Sequence, residues 1–145
     1  MPVQGTFKEY DKQKQKHLAN FRRFVRMSGT PIKIREYVSI NVFELREWIQ
    51  LQWIEGMTWE NYGSFWVIDH VVPLRIFNIF DENDLRISFH YKNLMPLIWK
   101  DNNDKEGDLR FSQIVLDRLE PCPIVNYLKN KVEAEIKKME KYFVK

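Results

Sequence analysis

Apolar residues near the start of the chain recur at helical spacing. Leu18, Phe21, Phe24 and Val25 share one face, while Lys12, Lys16, Arg22, Arg23 and Arg26 fall largely elsewhere. This pattern predicts a helix from about Phe7 to Met27, preceded by a loose residue 1–6 segment. Ser28-Gly29-Thr30-Pro31 should end it, with glycine supplying a left-handed cap and proline barring further helix. Residues 32–40 fit either a strand or irregular structure. Asn41 with Glu44 three residues on is a capping-box start for a second helix, to about Glu55. Phe43, Leu45, Trp48, Ile49 and Trp53 give it an apolar surface, and Gly56 stops it.

Beyond Gly56 the pattern changes. Thr58 to Ser64 reads as an ordered turn, in which Trp59 either packs or offers a face to a nucleobase. Phe65 to Val72 is a β-branched and aromatic run halted by Pro73, the signature of a buried strand. Asn93 to Trp99 is a second run of the same kind. Between them, Asp81 to His90 reads as a short helix capped by Asp81 or Asn83, with Leu85, Ile87 and Phe89 turned inward. Asp101 or Asn102 offers an N-cap for a helix following the second strand. Leu109 to Leu119 is predicted helical, Pro121-Cys122-Pro123 breaks the chain, and Ile124 to Phe143 forms a last helix. Val125, Leu128, Val132, Ile136 and Met139 lie on one side of it. The expected class is α+β: a small two-stranded antiparallel sheet surrounded by N- and C-terminal helices.

Composition narrows the class further. The 145 residues suit a single core, and 44% hydrophobic with 14% aromatic content favours a folded chain over disorder. No apolar run reaches membrane-spanning length and the N-terminus lacks a signal-peptide core, so an intracellular protein, cytoplasmic, nucleoid-associated or viral, is expected. The single cysteine, Cys122, forbids an internal disulfide and a four-cysteine zinc knuckle. Net charge is +3 but uneven: residues 1–36 carry nine Lys or Arg against three Asp or Glu, or +6, which leaves −3 for the remainder. Such a basic arm is either a solvated helix face or a surface for a polyanion.

The chemistry-bearing residues fall in a fixed order. An Asp69-His70 pair ends the first apolar run, Asn93 opens the second in Asn-Leu-Met-Pro-Leu, and Asn102 with Lys105 follows as Asn-x-x-Lys. This order resembles the HNH endonuclease family, and Glu55 to Gly63 resembles the lead-in of its phage-type members. The likeness spans roughly residues 40–107. It implies a ββα-metal unit that binds one divalent cation and hydrolyses phosphodiesters, leaving 5′-phosphate and 3′-hydroxyl ends. The chain then divides into a basic helical arm (1–40), an HNH core with its lead-in helix (41–107) and C-terminal helices (108–145), together one domain.

On this resemblance Asp69 and Asn102 would hold the metal, His70 would activate water, and Asn93 would brace the catalytic loop and histidine. A carboxylate and an amide oxygen favour Mg²⁺ or Mn²⁺ over softer-binding ions. Family members often place histidine where Asn102 stands. Asn103, Asp101 and Asp104 are alternative oxygen donors beside it. Adjacent strand residues point to opposite faces, so Asp69 and His70 suit a division of labour rather than joint ligation. Imidazole titrates near neutrality, as a general base should. Lys105, Arg22, Arg23 and Arg26 are the expected DNA-backbone contacts, though Lys105 could equally face solvent. His90 is expected to hydrogen-bond within the inter-strand connection, and His17 is given no chemistry. The bland readings are a local cap for Asp69, an N-cap for Asn102 and a turn residue for Asn93. The expected partner is double-stranded DNA, met by a monomer or homodimer. A non-catalytic DNA-binding or structural module retaining the fold, and an RNA-directed nuclease, are the competing readings.

Overall fold

Helix α1 (Phe7–Val25) lays Phe21, Phe24 and Val25 into the core and leaves its cationic residues outside. The computed structural model describes residues 7–29, 32–100 and 108–143. The cap of α1 differs from expectation. Met27, at φ 57°, takes the left-handed position; its N–H donates to Phe24 O (3.1 Å) and the Ser28 N–H to Arg23 O (3.0 Å). This is the paired-bond Schellman ending, placed two residues before the glycine.

Residues 32–40, compatible by sequence with strand or irregular structure, are mostly helical: α2 spans Ile32–Val38. Ile34, Tyr37 and Val38 are buried at i, i+3 and i+4, so tertiary burial overrides the strand preference of the β-branched residues. Helix α3 (Val42–Gln50) begins with the predicted capping box: the Glu44 N–H donates to Asn41 Oδ1 at 2.8 Å, and the Asn41 N–H to Glu44 Oε1 at 3.2 Å. It stops at Gln50 rather than Glu55. Trp53 leaves the helix to meet the rings of Trp59 and Trp66 at 5.5 and 5.8 Å.

Strands β1 (Trp66–His70) and β2 (Leu94–Ile98) form an antiparallel pair, with Ile68 opposite Pro96, Asp69 opposite Met95 and His70 opposite Leu94. The architecture is α+β, with six α-helices and this two-stranded sheet among the described residues. The connection between the strands holds α4 (Glu82–Ser88), capped by Asp81, whose Oδ2 accepts the Asp84 N–H at 2.9 Å. Two further helices, α5 (Leu109–Asp117) and α6 (Pro123–Phe143), follow the sheet. The elements meet in two apolar clusters. One gathers Phe21, Phe24, Ile34, Leu45, Ile49, Trp66, Phe89 and Leu94 from α1, α2, α3, the sheet and the end of α4. The other gathers Val71, Val72, Phe77, Leu109, Leu116, Leu128 and Val132 from the segment after β1 and the last two helices. The chain leaving His70 therefore passes between two cores.

No helix among the described residues is long and apolar enough to cross a membrane.

Candidate active site

Strand β1 places four consecutive residues, Val67, Ile68, Asp69 and His70, along a cleft of about 380 Å³. The facing wall is α1, through Leu18, Phe21 and Arg22, with Arg26 just past its last residue. Leu18, Arg22 and Arg26 are four residues apart, and the Arg26 N–H bond to Arg22 O (3.0 Å) carries the stripe of the helix into the turn after it. The rim holds Tyr62, Gly63 and Trp99. The sequence-predicted Asp69 and His70 therefore share a recess with two of the three predicted arginines.

Alternation along β1 puts Asp69 with Val67 on one face and His70 with Ile68 on the other. Asp69 is partly exposed. His70 is only 6% exposed, and its ring meets Phe89 edge-on at 4.8 Å and 83°. Phe89 also contacts Phe21 at 5.7 Å, so an aromatic chain from α1 fixes the plane of the imidazole. That clamp is a packing relation between distant segments, and no local signal announces it.

Asn93 is fully buried and acts on the backbone just past His70. Its Oδ1 accepts the Val72 N–H at 2.8 Å, and its Nδ2 donates to Val72 O at 3.2 Å and to Ser88 O at 2.9 Å. The Val71 N–H reaches Asn93 O at 2.8 Å. Asn93 thus ties the Val71–Val72 backbone to the end of α4. Sequence reasoning missed a second brace: the buried Ser112 hydroxyl on α5 donates to Val71 O at 2.6 Å. A lone serine in a helical pattern carries no mark that would have found it.

The two cleft arginines are positioned differently. Arg26 lies over the Tyr62 ring at 4.7 Å, and its Nη2 sits 2.8 Å from where a Cβ on Gly63 would stand. Gly63 has φ +95°, so both its backbone and its bare surface admit the guanidinium. Burial pushes the Tyr62 phenol above its ordinary value, against the opposing pull of Arg26, Arg22 and Arg46. Arg22 is exposed on the same helix stripe. Arg23 is turned away; its guanidinium packs at Gly29 beyond the end of α1, and it does not line the cleft.

His90 caps the short helical turn Tyr91–Asn93, with its Nδ1 accepting the Lys92 N–H at 3.1 Å. Burial, reinforced by the Lys92 charge, pulls its imidazole down to about 4. Trp59 is half-buried, with the Arg46 guanidinium 4.1 Å over its ring and Trp53, Tyr62 and Trp66 in ring contact. Asn102 and Lys105 lie outside the described residues. Among the described residues no three His, Cys, Asp or Glu side chains gather as a metal site.

No known family profile matches the chain. Two proteins of Acanthamoeba polyphaga mimivirus are similar to it. Uncharacterized protein L426 is 36% identical over 87 residues, which is 60% of this chain and 36% of that relative. Uncharacterized protein L246 is 24% identical over 104 residues, covering 66% of this chain and 46% of that relative. The chain thus spans less than half the length of either relative. No solved structure matches.

Proposed function

We propose that the chain is a metal-dependent DNA endonuclease of the HNH type. The observation that carries this reading is the convergence of Asp69, His70, Arg22 and Arg26 on one open cleft. A cleft walled by guanidinium groups attracts a phosphate backbone, and the planar forks of Arg22 and Arg26 can each grip a phosphate through two hydrogen bonds. His70, oriented by Phe89, takes the proton from the attacking water. Asn93 and Ser112 hold the backbone beyond His70 still, which keeps the base at a fixed distance from a phosphate seated against α1.

The donor that the cleft offers to a cation is the Asp69 carboxylate, a hard oxygen suited to Mg²⁺ or Mn²⁺ ions that keep much of their own hydration. By family resemblance Asn102 would add a second oxygen. When bound, the ion supplies Lewis-acid stabilisation to the phosphate and the departing oxygen. The viral relatives agree with a viral origin for the chain.

Plasmid relaxation with Mg²⁺ or Mn²⁺ tests the reading: wild type should nick and His70→Ala should not. Equal activity in both discards His70 as the base. DNA binding without cleavage and without divalent-ion uptake would instead mark a non-catalytic DNA-binding module.

A further inference from the structure

The five tryptophans of the chain are not equivalent. Trp48 meets Tyr91 edge-on at 5.2 Å and donates its indole N–H to Leu94 O at 3.1 Å. Trp53, Trp59 and Trp66 form a mutual cluster with ring centroids 5.1 to 5.8 Å apart. Trp99 has no ring partner and no indole hydrogen bond among the described residues, is 50% exposed, and lines the same cleft as Asp69 and His70. Its backbone is nonetheless fixed, since the Trp99 N–H donates to Phe65 O at 3.0 Å, one residue beyond the sheet ladder.

A bare indole on a rigid backbone, in a cleft with two cationic forks, has the parts of a single-strand binding groove: a stacking face for a base and charges for the backbone. Bases inside a duplex are already stacked on each other and hide their faces, so a fixed indole can engage only a base that is unpaired. We infer that Trp99 is a stacking platform for an unpaired nucleobase, and that the cleft takes a DNA strand that is single-stranded or locally opened beside the phosphate to be cut. The inference rests on the nuclease reading for DNA as the occupant. Phe65, which holds Trp99, precedes His70 by five residues of strand, roughly 16 Å at strand rise. The stacked base therefore lies a few nucleotides from the scissile phosphate rather than at it. Trp59, the aromatic that the sequence offered for this role, has one ring face taken by Arg46 and does not line the cleft.

The test is fluorescence anisotropy in EDTA with a labelled oligothymidine, the same strand in a duplex, and a strand of the same length that is abasic throughout. Trp99→Ala should weaken single-strand binding by roughly 5- to 100-fold and leave duplex binding unchanged, as expected for the loss of one stacked base. Trp99→Phe should recover most of the loss, and the abasic strand should bind wild type and Trp99→Ala alike. Equal single-strand affinity for wild type and Trp99→Ala overturns the platform, as does an equal loss on strand and duplex. Adding Mg²⁺ separates the two proposals. Trp99-dependent binding without cleavage removes the nuclease and keeps the platform, whereas cleavage and binding indifferent to Trp99→Ala keep the nuclease and remove the platform. A protein that binds none of the three probes loses both.

Discussion

Asn93 grips Val72 by both of its backbone groups, accepting from the N–H at 2.8 Å and donating to the carbonyl at 3.2 Å, while the same amide donates to Ser88 O at 2.9 Å. One side chain thus joins the exit of β1 to the end of α4. Because the site is fully buried, no water replaces these bonds when they are removed.

Asn93→Ala should lower stability by about 3 kcal/mol, since it strands a buried N–H and two carbonyls. Asn93→Asp keeps the acceptor, loses the donor and buries a charge. Its loss should be larger at neutral pH and should shrink when acid protonates the new carboxyl. Urea midpoints at unchanged slope read both effects.

His90 and Asp84 each contribute to an acid window. Burial pulls His90 down to about 4, below an unfolded value of about 6.5, so the unfolded state binds more protons between those limits. Stability attributable to His90 is whole above about 6.5 and drains as pH falls towards 4. Asp84 behaves differently. Burial raises its carboxyl, but hydrogen bonds from Lys131 (2.8 Å), Tyr127 and the Asn78 N–H (2.8 Å) outweigh burial, and it remains below its ordinary value. Its contribution is present above about 4, the unfolded value, and is lost as pH falls through the lower folded value. Thermal midpoints measured across the acid range should show His90→Gln flattening the upper window and Asp84→Asn the lower one.

Met27 occupies the left-handed region at φ 57° with its side chain half in solvent. Met27→Gly removes the steric cost of a Cβ there and should stabilise the protein by roughly 0.5–1 kcal/mol, seen as a higher denaturant midpoint. A loss of stability would mean that the methionine packing outweighs the strain.

What the sequence made legible was local. Asn41 and Glu44 stand three apart at a helix start and close the box anticipated for them, and β1 and β2 fall inside the two apolar runs that announced them. What it concealed was settled at a distance. Ile34, Tyr37 and Val38 sit in a short β-branched segment whose preference is reversed by packing against α1 and α4. The cap passed from Gly29 to Met27 because the paired bonds to Arg23 and Phe24 form there. At the cleft, Asp69 and His70 were singled out from the sequence. The clamp of Phe89 on His70, and the separation of Arg23 from Arg22 and Arg26, depend on how α1 lies across the sheet.

The arginines give a direct measure of cleft occupancy. Removing one guanidinium from a phosphate should flatten the dependence of log binding constant on log salt by roughly 0.9 for duplex DNA or 0.7 for a single strand. Arg22→Ala and Arg26→Ala should each do so, whereas Arg23→Ala, turned towards Gly29, should leave the slope unchanged. Equal slopes for all three variants would place the DNA elsewhere.

Ser112 lies 41 residues downstream of Val71, yet its hydroxyl is the partner of that carbonyl. The catalytic-looking stretch is therefore not a portable cassette. Residues 41–107 moved alone into a foreign scaffold would keep Asp69, His70 and Asn93 and still leave Val71 O without its Ser112 partner. Transplants of this unit need the tail that follows it, and engineering should treat the last two helices as part of the machine rather than as its handle.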